Sequence, residues 1–267
     1  MRYCRFLLDG DPCYGRVEKR AGEFWIAGPA EASEEDLAYR LRRVEKPFLV
    51  FDPLPLAEAT LLPPVTPSKI LCVGRNYRDH VHELGHQIPA EPLIFMKPPS
   101  SLLAPGGLVR MPAVSARVDY EGELALVIGR RASKIDPADW RSYVRGYTLA
   151  NDVTARDLQK KDGQWTRAKG FDTFCPVGPI VSDEIDPAAG VTIETRVNGE
   201  RRQQGSTRDF LFSIPKLLAW ITAAITLEPG DLLLTGTPAG VGPLQNGDLV
   251  EVSIGGLGTL GNRFHAE

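Results

Sequence analysis

VDYEGELALVIG, residues 118–129, combines a long apolar run with two acids at its start. Glu121 and Glu123 lie two residues apart, a spacing that puts both carboxylates on one face if the segment is a β-strand. Beyond the acids both faces are apolar, with Ala125 and Val127 on one and Leu124, Leu126 and Ile128 on the other. A strand with two apolar faces is typical of the interior of a sheet that is covered on both sides. We therefore predict a buried strand that carries two carboxylates.

The two acids need an explanation, because carboxylates that enter a buried strand repel each other and lose their hydration. An isolated E-x-E pair is more often the solvated end of a strand. A second segment, GYTLAND, favours a functional site over a solvated strand end. Its apolar run stops at Asp152, and functional groups gather where strands meet loops. Three carboxylates without histidine or cysteine form a hard oxygen ligand set, which favours Mg²⁺, Mn²⁺ or Ca²⁺. Such a site would leave coordination positions for water and a chelating substrate.

Composition restricts the partners of this protein. The chain has 267 residues and a formal net charge of -3, which argues against binding to a nucleic-acid backbone. No apolar run is long enough for a signal peptide or a bilayer span, so we expect no membrane partner. The four cysteines show no C-x-x-C spacing. This pattern predicts buried, reduced thiols in a cytoplasmic protein rather than a zinc site or a disulfide framework.

The pattern of turns and apolar runs predicts a mixed α+β fold dominated by strands. Residues 2–28 read as three short strands, and EEDLAYRLRRV reads as a helix capped by Ser33. The Pro-rich stretch FDPLPLAEATLLPPVTPSK has no periodicity and is typical of a linker. We therefore predict a small β-rich N-terminal domain over residues 1–65 and a metal-dependent catalytic domain over residues 66–267.

The predicted catalytic domain begins with the strand KILCVG, followed by a helix in RNYRDHVHELG that ends at Gly85. Residues 137–145 are expected to form a short helix. A hairpin with a type I′ turn is expected at Asn198–Gly199. SIPKLLAWITAAIT has the spacing of one long amphipathic helix, and the segments after it are rich in strands.

Several motifs in register resemble the fumarylacetoacetate hydrolase superfamily: GRNYRDHVHELG, PLIFMKPPSSL, DYEGELALVIG, ANDVTARDLQ, RAKGFDTFCPVGP and TGTPAGVGP. The similarity extends over roughly residues 68–264. It is greatest to the small-chain branch, which contains acylpyruvate hydrolases, oxaloacetate decarboxylases and 2-hydroxyhepta-2,4-diene-1,7-dioate isomerases. The resemblance implies the β-roll or barrel of the family's C-terminal domain, the small N-terminal domain of bacterial members, a homodimer, and a part in the catabolism of aromatic compounds.

The resemblance also implies roles for individual residues. Glu121, Glu123 and Asp152 match the family's metal ligands, with Mg²⁺ or Mn²⁺ expected and Ca²⁺ as a further possibility. Arg156, Gln159 and Thr237 match positions that contact substrate. Lys169 matches a position in the substrate site, and as a catalytic residue its ammonium would stabilise enolate charge near the metal. His80 and Glu83 match a lid dyad proposed to activate water. Fumarylacetoacetate hydrolase itself has an additional upstream aspartate at the metal. This chain has no clear counterpart, which argues against fumarylacetoacetate as its substrate.

Spacing alone leaves other interpretations open for these residues. His80 and Glu83 are helical neighbours that could form an exposed pair. Lys169 could be an ordinary surface lysine, and Arg156 could pair with a nearby aspartate rather than with a substrate carboxylate. TGTPAGVGP has close glycines but lacks the P-loop pattern, so a P-loop is excluded. Its backbone amides could still bind a substrate carboxylate or enolate oxygen.

A metal held by three carboxylates would chelate a 2-oxo acid and stabilise its enolate. The same intermediate can lead to isomerisation, to C–C hydrolysis or to decarboxylation. We therefore predict an enzyme acting on small 2-oxo or 2-hydroxy-dienoic diacids. The alternative is a non-catalytic relative with a structural Ca²⁺ site. Such a site would need neither Lys169 nor Arg156, nor the His80–Glu83 pair.

Overall fold

A computed structural model of the protein describes residues 1–30, 51–85 and 87–266. The helix predicted after Ser33 lies outside these residues. The strands in the first half of the chain are β1 Arg2–Leu8, β2 Asp11–Arg20, β3 Glu23–Pro29, β4 Leu54–Pro55, β5 Leu61–Leu62, β6 Ile70–Gly74, β7 Leu93–Lys97, β8 Leu102–Leu103, β9 Leu108–Arg110, β10 Val118–Tyr120 and β11 Gly122–Ile128. The strands in the second half are β12 Val144–Asn151, β13 Thr154–Ala155, β14 Cys175–Ser182, β15 Thr192–Val197, β16 Glu200–Ser206, β17 Leu232–Leu234, β18 Gly242–Pro243, β19 Leu249–Ile254 and β20 Gly258–His265.

The α-helices in the described part of the chain are short, apart from the last: α1 Arg78–Glu83, α2 Arg156–Asp162, α3 Thr166–Lys169 and α4 Ile214–Ala224. Helix α4 is the predicted amphipathic helix. Helix α1 ends as expected, because Gly85 takes the left-handed φ of 67° that a C′ glycine supplies. Residues 137–145, predicted as a helix, form a 3-10 helix over Pro137–Tyr143 and then enter β12.

The largest sheet has 12 strands, most of them in the order β4-β3-β2-β1-β14-β12-β11-β17-β6-β7. The N-terminal strands belong to it because Arg2 and Tyr3 of β1 pair with Ser182 and Val181 of β14. The segment predicted as a linker supplies β4 and β5 to the same sheet. The linker prediction is therefore wrong for this stretch, whose apolar residues pair with their neighbours. The division into two domains at residue 65 stays a prediction.

Two smaller sheets complete the described strands, one in the order β13-β10-β18 and one in the order β16-β15-β19-β20-β9. Asn198 and Gly199, with φ of 52° and 81°, form the predicted turn between β15 and β16. The β-dominated mixed α+β class is confirmed. Among the described strands, however, the sheets are open paths, and none closes into the barrel that the resemblance allowed.

Strand β11 is buried on both faces, as predicted. Leu124, Leu126 and Ile128 belong to one hydrophobic core, whereas Ala125 and Val127 belong to a second core on the other face of β11. The four cysteines are buried and form no disulfide, which confirms the prediction of buried thiols. Among the described residues no helix is long and apolar enough to cross a membrane.

Candidate active site

The three predicted metal ligands meet at one end of the large sheet. Glu121, Glu123 and Asp152 are buried, and each offers a carboxylate oxygen that lies within 4.8 Å of the others. Strands β11 and β12 bring them together, because Glu123 pairs with Ala150 and the Asp152 amide donates to the Glu121 carbonyl at 2.8 Å. The structure thus juxtaposes the three acids that the sequence singled out.

Glu121 differs from the prediction in one respect, since it does not lie within a continuous strand. It separates β10 from β11, which pair with strands of different sheets. The Glu121 amide donates to Oδ1 of Asn151 at 2.8 Å, so a side chain replaces the strand partner at the point where the chain changes sheets. The carboxylate still faces the same site as Glu123.

Glu123 accepts a hydrogen bond from a backbone amide. The Gly236 amide donates to Glu123 Oε2 at 2.6 Å. Burial raises the pKa of Glu123 well above its usual value, and the nearby carboxylates of Asp152 and Glu121 raise it further. A deprotonated Glu123 therefore requires additional positive charge in the site.

Two buried lysines contact the other two acids. Lys169 Nζ donates to Glu121 Oε2 at 2.8 Å and to Asp152 Oδ2 at 2.6 Å. Burial disfavours the charged form of Lys169, but the charges of Asp152 and Glu121 outweigh it and hold its pKa above the usual value. Lys97 Nζ donates to Asp152 Oδ1 at 2.6 Å and to the Val153 carbonyl at 3.2 Å.

Arg156 is buried beside the triad, and all three of its guanidinium nitrogens donate hydrogen bonds to protein oxygens. Nε donates to Asp119 at 3.0 Å, Nη2 donates to Glu121 Oε1 at 2.6 Å, and Nη1 donates to Gln159 Oε1 at 2.7 Å. Burial favours the neutral form of Glu121, yet Lys169 and Arg156 outweigh it and keep the pKa of Glu121 well below its usual value. Arg156 therefore holds one metal-ligand candidate in its charged form. Its predicted contact with substrate stays a prediction.

Helix α1 carries the predicted dyad against the site. His80 is only 5% exposed, and its Nδ1 lies 3.1 Å from Glu83 Oε2. The Gly240 amide donates to the other oxygen of Glu83 at 2.9 Å. Partial burial alone would raise the pKa of Glu83, but the hydrogen bonds from His80 and Gly240 lower it. A carboxylate that stays charged fixes the tautomer and orientation of the imidazole.

Thr237 lies in the loop after β17, and its hydroxyl forms two hydrogen bonds within the protein. Its hydroxyl donates to the Gly122 carbonyl at 2.9 Å and accepts from Gln203 Nε2 at 2.8 Å. Gln203 also accepts from the Gly122 amide at 2.9 Å. The β15–β16 hairpin therefore fixes the start of β11 next to Glu123. The predicted substrate contacts of Thr237 and Gln159 stay predictions.

Sequence reasoning missed three buried residues of this site, Lys97, Asp119 and Gln203. Lys97 is the last residue of the strand LIFMK, and lysines at strand ends are usually exposed. Asp119 could have been found, because it extends the two-residue spacing of Glu121 and Glu123 by one step. Gln203 gave no signal within its polar hairpin. Its role depends on pairing with residues far away in the sequence.

The donor set fits a hard divalent cation. Three buried carboxylates supply only oxygen, and their mutual repulsion is relieved by a positive charge placed between them. Glu121, Glu123 and Asp152 would hold such an ion.

Comparisons with known proteins identify the family to which this chain belongs. Residues 69–265 match the family described as fumarylacetoacetate (FAA) hydrolase C-terminal. The chain is 49% identical to Protein Rv2993c of Mycobacterium tuberculosis over 98% of this chain and 97% of that protein. It is 44% identical to oxaloacetate tautomerase YisK of Bacillus subtilis over 79% of this chain and 71% of that protein.

A solved structure of 2-hydroxyhepta-2,4-diene-1,7-dioate isomerase from Mycobacterium marinum superposes with a TM-score of 0.86 at 40% identity. The superposition covers 100% of this chain and 99% of the other. The family match covers most of the chain and includes every residue of the carboxylate site. The chain therefore belongs to the fumarylacetoacetate hydrolase family, and it is an enzyme of that family's small-chain branch.

Proposed function

We propose that this enzyme uses Mg²⁺ or Mn²⁺ to form the enolate of a small 2-oxo or 2-hydroxy-dienoic diacid and moves a proton between its carbons. The observation that carries this proposal is the contact of Lys169 with two acids of a convergent carboxylate triad. Ca²⁺ also satisfies an all-oxygen ligand set and is the third candidate. When bound, the ion supplies the Lewis acidity that stabilises an enolate.

The residues around the triad supply charge and orientation. Lys169 keeps its positive charge in a buried position, where it can stabilise negative charge that develops on a substrate oxygen. Lys97 and Arg156 hold Asp152 and Glu121 in place. A site whose side chains are fixed before the substrate binds needs little rearrangement when charge develops.

His80 is the proposed group that accepts and returns the proton. Glu83 orients its imidazole, and imidazole is the side chain that most often serves as a general acid or base. The proposal of isomerisation is supported by the names of two similar proteins, an oxaloacetate tautomerase and a dienedioate isomerase.

C–C hydrolysis is the second candidate, and the His80–Glu83 pair favours it. A base held by a carboxylate can equally remove a proton from water and direct hydroxide to a distal carbonyl. The two functions differ in one requirement, because isomerisation needs no hydroxide.

Turnover of a substrate panel tests the proposal. Oxaloacetate, 2-hydroxyhepta-2,4-diene-1,7-dioate and an acylpyruvate would each be assayed with Mg²⁺, with Mn²⁺ and with EDTA. We expect proton exchange or isomerisation that requires metal, with C–C cleavage of the acylpyruvate as the sign of the second candidate. Absence of turnover by the metal-loaded enzyme on all three compounds would contradict both candidates.

A homodimer in the cytoplasm also belongs to this proposal, supported by the family resemblance and by the buried thiols. Analytical ultracentrifugation would give the mass of the assembly, and a monomer at micromolar concentration would contradict the dimer.

A further inference from the structure

The positive side chains nearest the carboxylate triad are already used by the protein. Lys169 and Lys97 contact the triad acids, and Arg156 donates from all its nitrogens to protein oxygens. A substrate with two carboxylates can place one at the metal ligands. The second carboxylate then needs a cation that is not already neutralised by the protein.

Arg75 is a cation of that kind. It is half-buried, and the ion pairs within residues 1–30, 51–85 and 87–266 include none from its guanidinium. Its backbone has a φ of 58°, a left-handed conformation that a non-glycine residue adopts at a cost and that is concentrated at functional sites. Arg75 directly follows β6, whose neighbour β17 leads to Gly236, the residue that donates to Glu123.

A row of two aromatic rings connects Arg75 with Lys169. The Arg75 guanidinium lies 6.0 Å from the centre of the Trp165 ring. The Trp165 and Phe95 rings meet edge to face with centres 5.2 Å apart, and Lys169 Nζ lies 5.0 Å from the Phe95 ring. Trp165 and Phe95 are both half-buried. The row therefore forms a partly open apolar wall with a cation at each end.

The order of charges along this wall suits one class of ligand. A planar, unsaturated hydrocarbon segment packs well on aromatic rings, and a guanidinium binds a carboxylate with two parallel hydrogen bonds. Resting on the proposed function, we propose that Arg75 binds the distal carboxylate of an extended dicarboxylic substrate, such as a 2-hydroxy-dienedioate, whose other end lies at the triad. Arg75 is then a specificity-determining residue, because a monocarboxylate gains nothing from it.

Backbone geometry also explains why an arginine at this position is held in place. Immediately before it, an added Cβ on Gly74 would come within 2.8 Å of Cζ3 of Trp165. The Trp165 ring thus packs directly on the end of β6. This packing fixes the direction in which Arg75 leaves the sheet.

The test compares 2-hydroxyhepta-2,4-diene-1,7-dioate with its 7-methyl ester in wild type and in Arg75→Gln. We expect kcat/KM for the diacid to fall about 10- to 100-fold in the variant, the value of a hydrogen bond to a charged group. The value for the ester should change by less than about 2-fold. Arg110→Gln removes an exposed arginine outside the site and is the control.

Equal losses for diacid and ester, or no loss for either, would overturn the proposal. Arg75→Gly controls for folding, since glycine adopts a positive φ freely, and it should show the same selective loss. Calorimetric titration of both compounds in the presence of Mg²⁺ gives the same comparison without turnover. If wild type binds the diacid more tightly than the ester but does not convert it, the proposed function fails and the role of Arg75 stands.

Discussion

Replacing Glu123 with glutamine should stabilise the metal-free protein and remove its response to divalent cations. The change keeps the shape and the acceptor for the Gly236 amide but removes one negative charge from a group whose oxygens lie within 4.8 Å of those of Glu121 and Asp152. At that distance and an effective dielectric constant of about 20, each like-charge pair costs about 3.5 kcal/mol.

Lys169 and Lys97 offset a large part of this repulsion, because both contact the same acids. We therefore expect a net gain of about 1–3 kcal/mol in the free energy of unfolding. For a chain of this size, a gain of 1 kcal/mol raises the melting temperature by roughly 2–4 °C. The metal-free variant should thus melt several degrees above the metal-free wild type.

The pH dependence of this difference has a definite sign. The folded protein raises the pKa of Glu123 above its usual value of 4.5, so the native state binds that proton more tightly than the unfolded chain. The stability from this group is present below about pH 4.5 and is lost as the pH rises towards the folded pKa. The gap between variant and wild type should therefore widen with rising pH.

Thermal unfolding in EDTA, and then in Mg²⁺ or Mn²⁺, measures both effects. Metal at about 100 times its dissociation constant should stabilise wild type by about 2.7 kcal/mol and should leave Glu123→Gln almost unchanged. Glu251→Gln, a half-exposed position on β19, serves as the control and should behave like wild type. A metal-free Glu123→Gln protein that melts below wild type would show that repulsion between the three carboxylates does not destabilise the metal-free protein. An equal response of both proteins to metal would refute the ligand assignment.

Variants at four further positions test the surrounding residues. Lys97→Met should lower stability by about 3–5 kcal/mol, since it leaves Asp152 buried without one of its partners, and denaturant unfolding would show no loss if the pair contributes nothing. His80→Ala and Glu83→Ala should suppress acylpyruvate cleavage by similar factors, with a double variant little worse than either, whereas additive losses would show that the two act separately. Arg156→Lys should lower kcat/KM equally for a diacid and its distal ester, because the guanidinium contacts Glu121 and Asp119, and a loss confined to the diacid would place Arg156 on the substrate instead.

The sequence predicted the centre of the site well because local patterns carry that information. Apolar residues on both faces of GELALVI predicted burial on both sides of β11, and the place where the apolar run of β12 stops predicted Asp152. The family resemblance added Lys169, His80 and Glu83, which the structure brings near the triad or its rim. The first two signals lie next to the functional groups in the sequence, whereas the resemblance depends on several motifs in register along the chain.

The remaining features depend on contacts between distant parts of the chain. Lys97 reaches Asp152 across 55 residues, and Gln203 reaches Gly122 across 81. Neither partner marks the other in the sequence. The pairing of β1 with β14 likewise joins opposite parts of the chain, and no local pattern distinguishes it from a separate N-terminal sheet. The break at Glu121 was missed because alternation continues through the point where the chain changes sheets.

Deuterium exchange at the carbon next to the carbonyl of a 2-oxo acid reports directly on whether the carboxylate triad forms an enolate with a bound metal. NMR would follow the exchange in oxaloacetate with wild type, first with Mg²⁺ or Mn²⁺ and then with excess EDTA, and with Glu123→Gln as the ligand variant. If the carboxylate triad holds a metal that stabilises an enolate, exchange is fast with metal, falls to the uncatalysed rate in EDTA, and stays at that rate in the variant. Exchange that continues undiminished in EDTA would contradict this account.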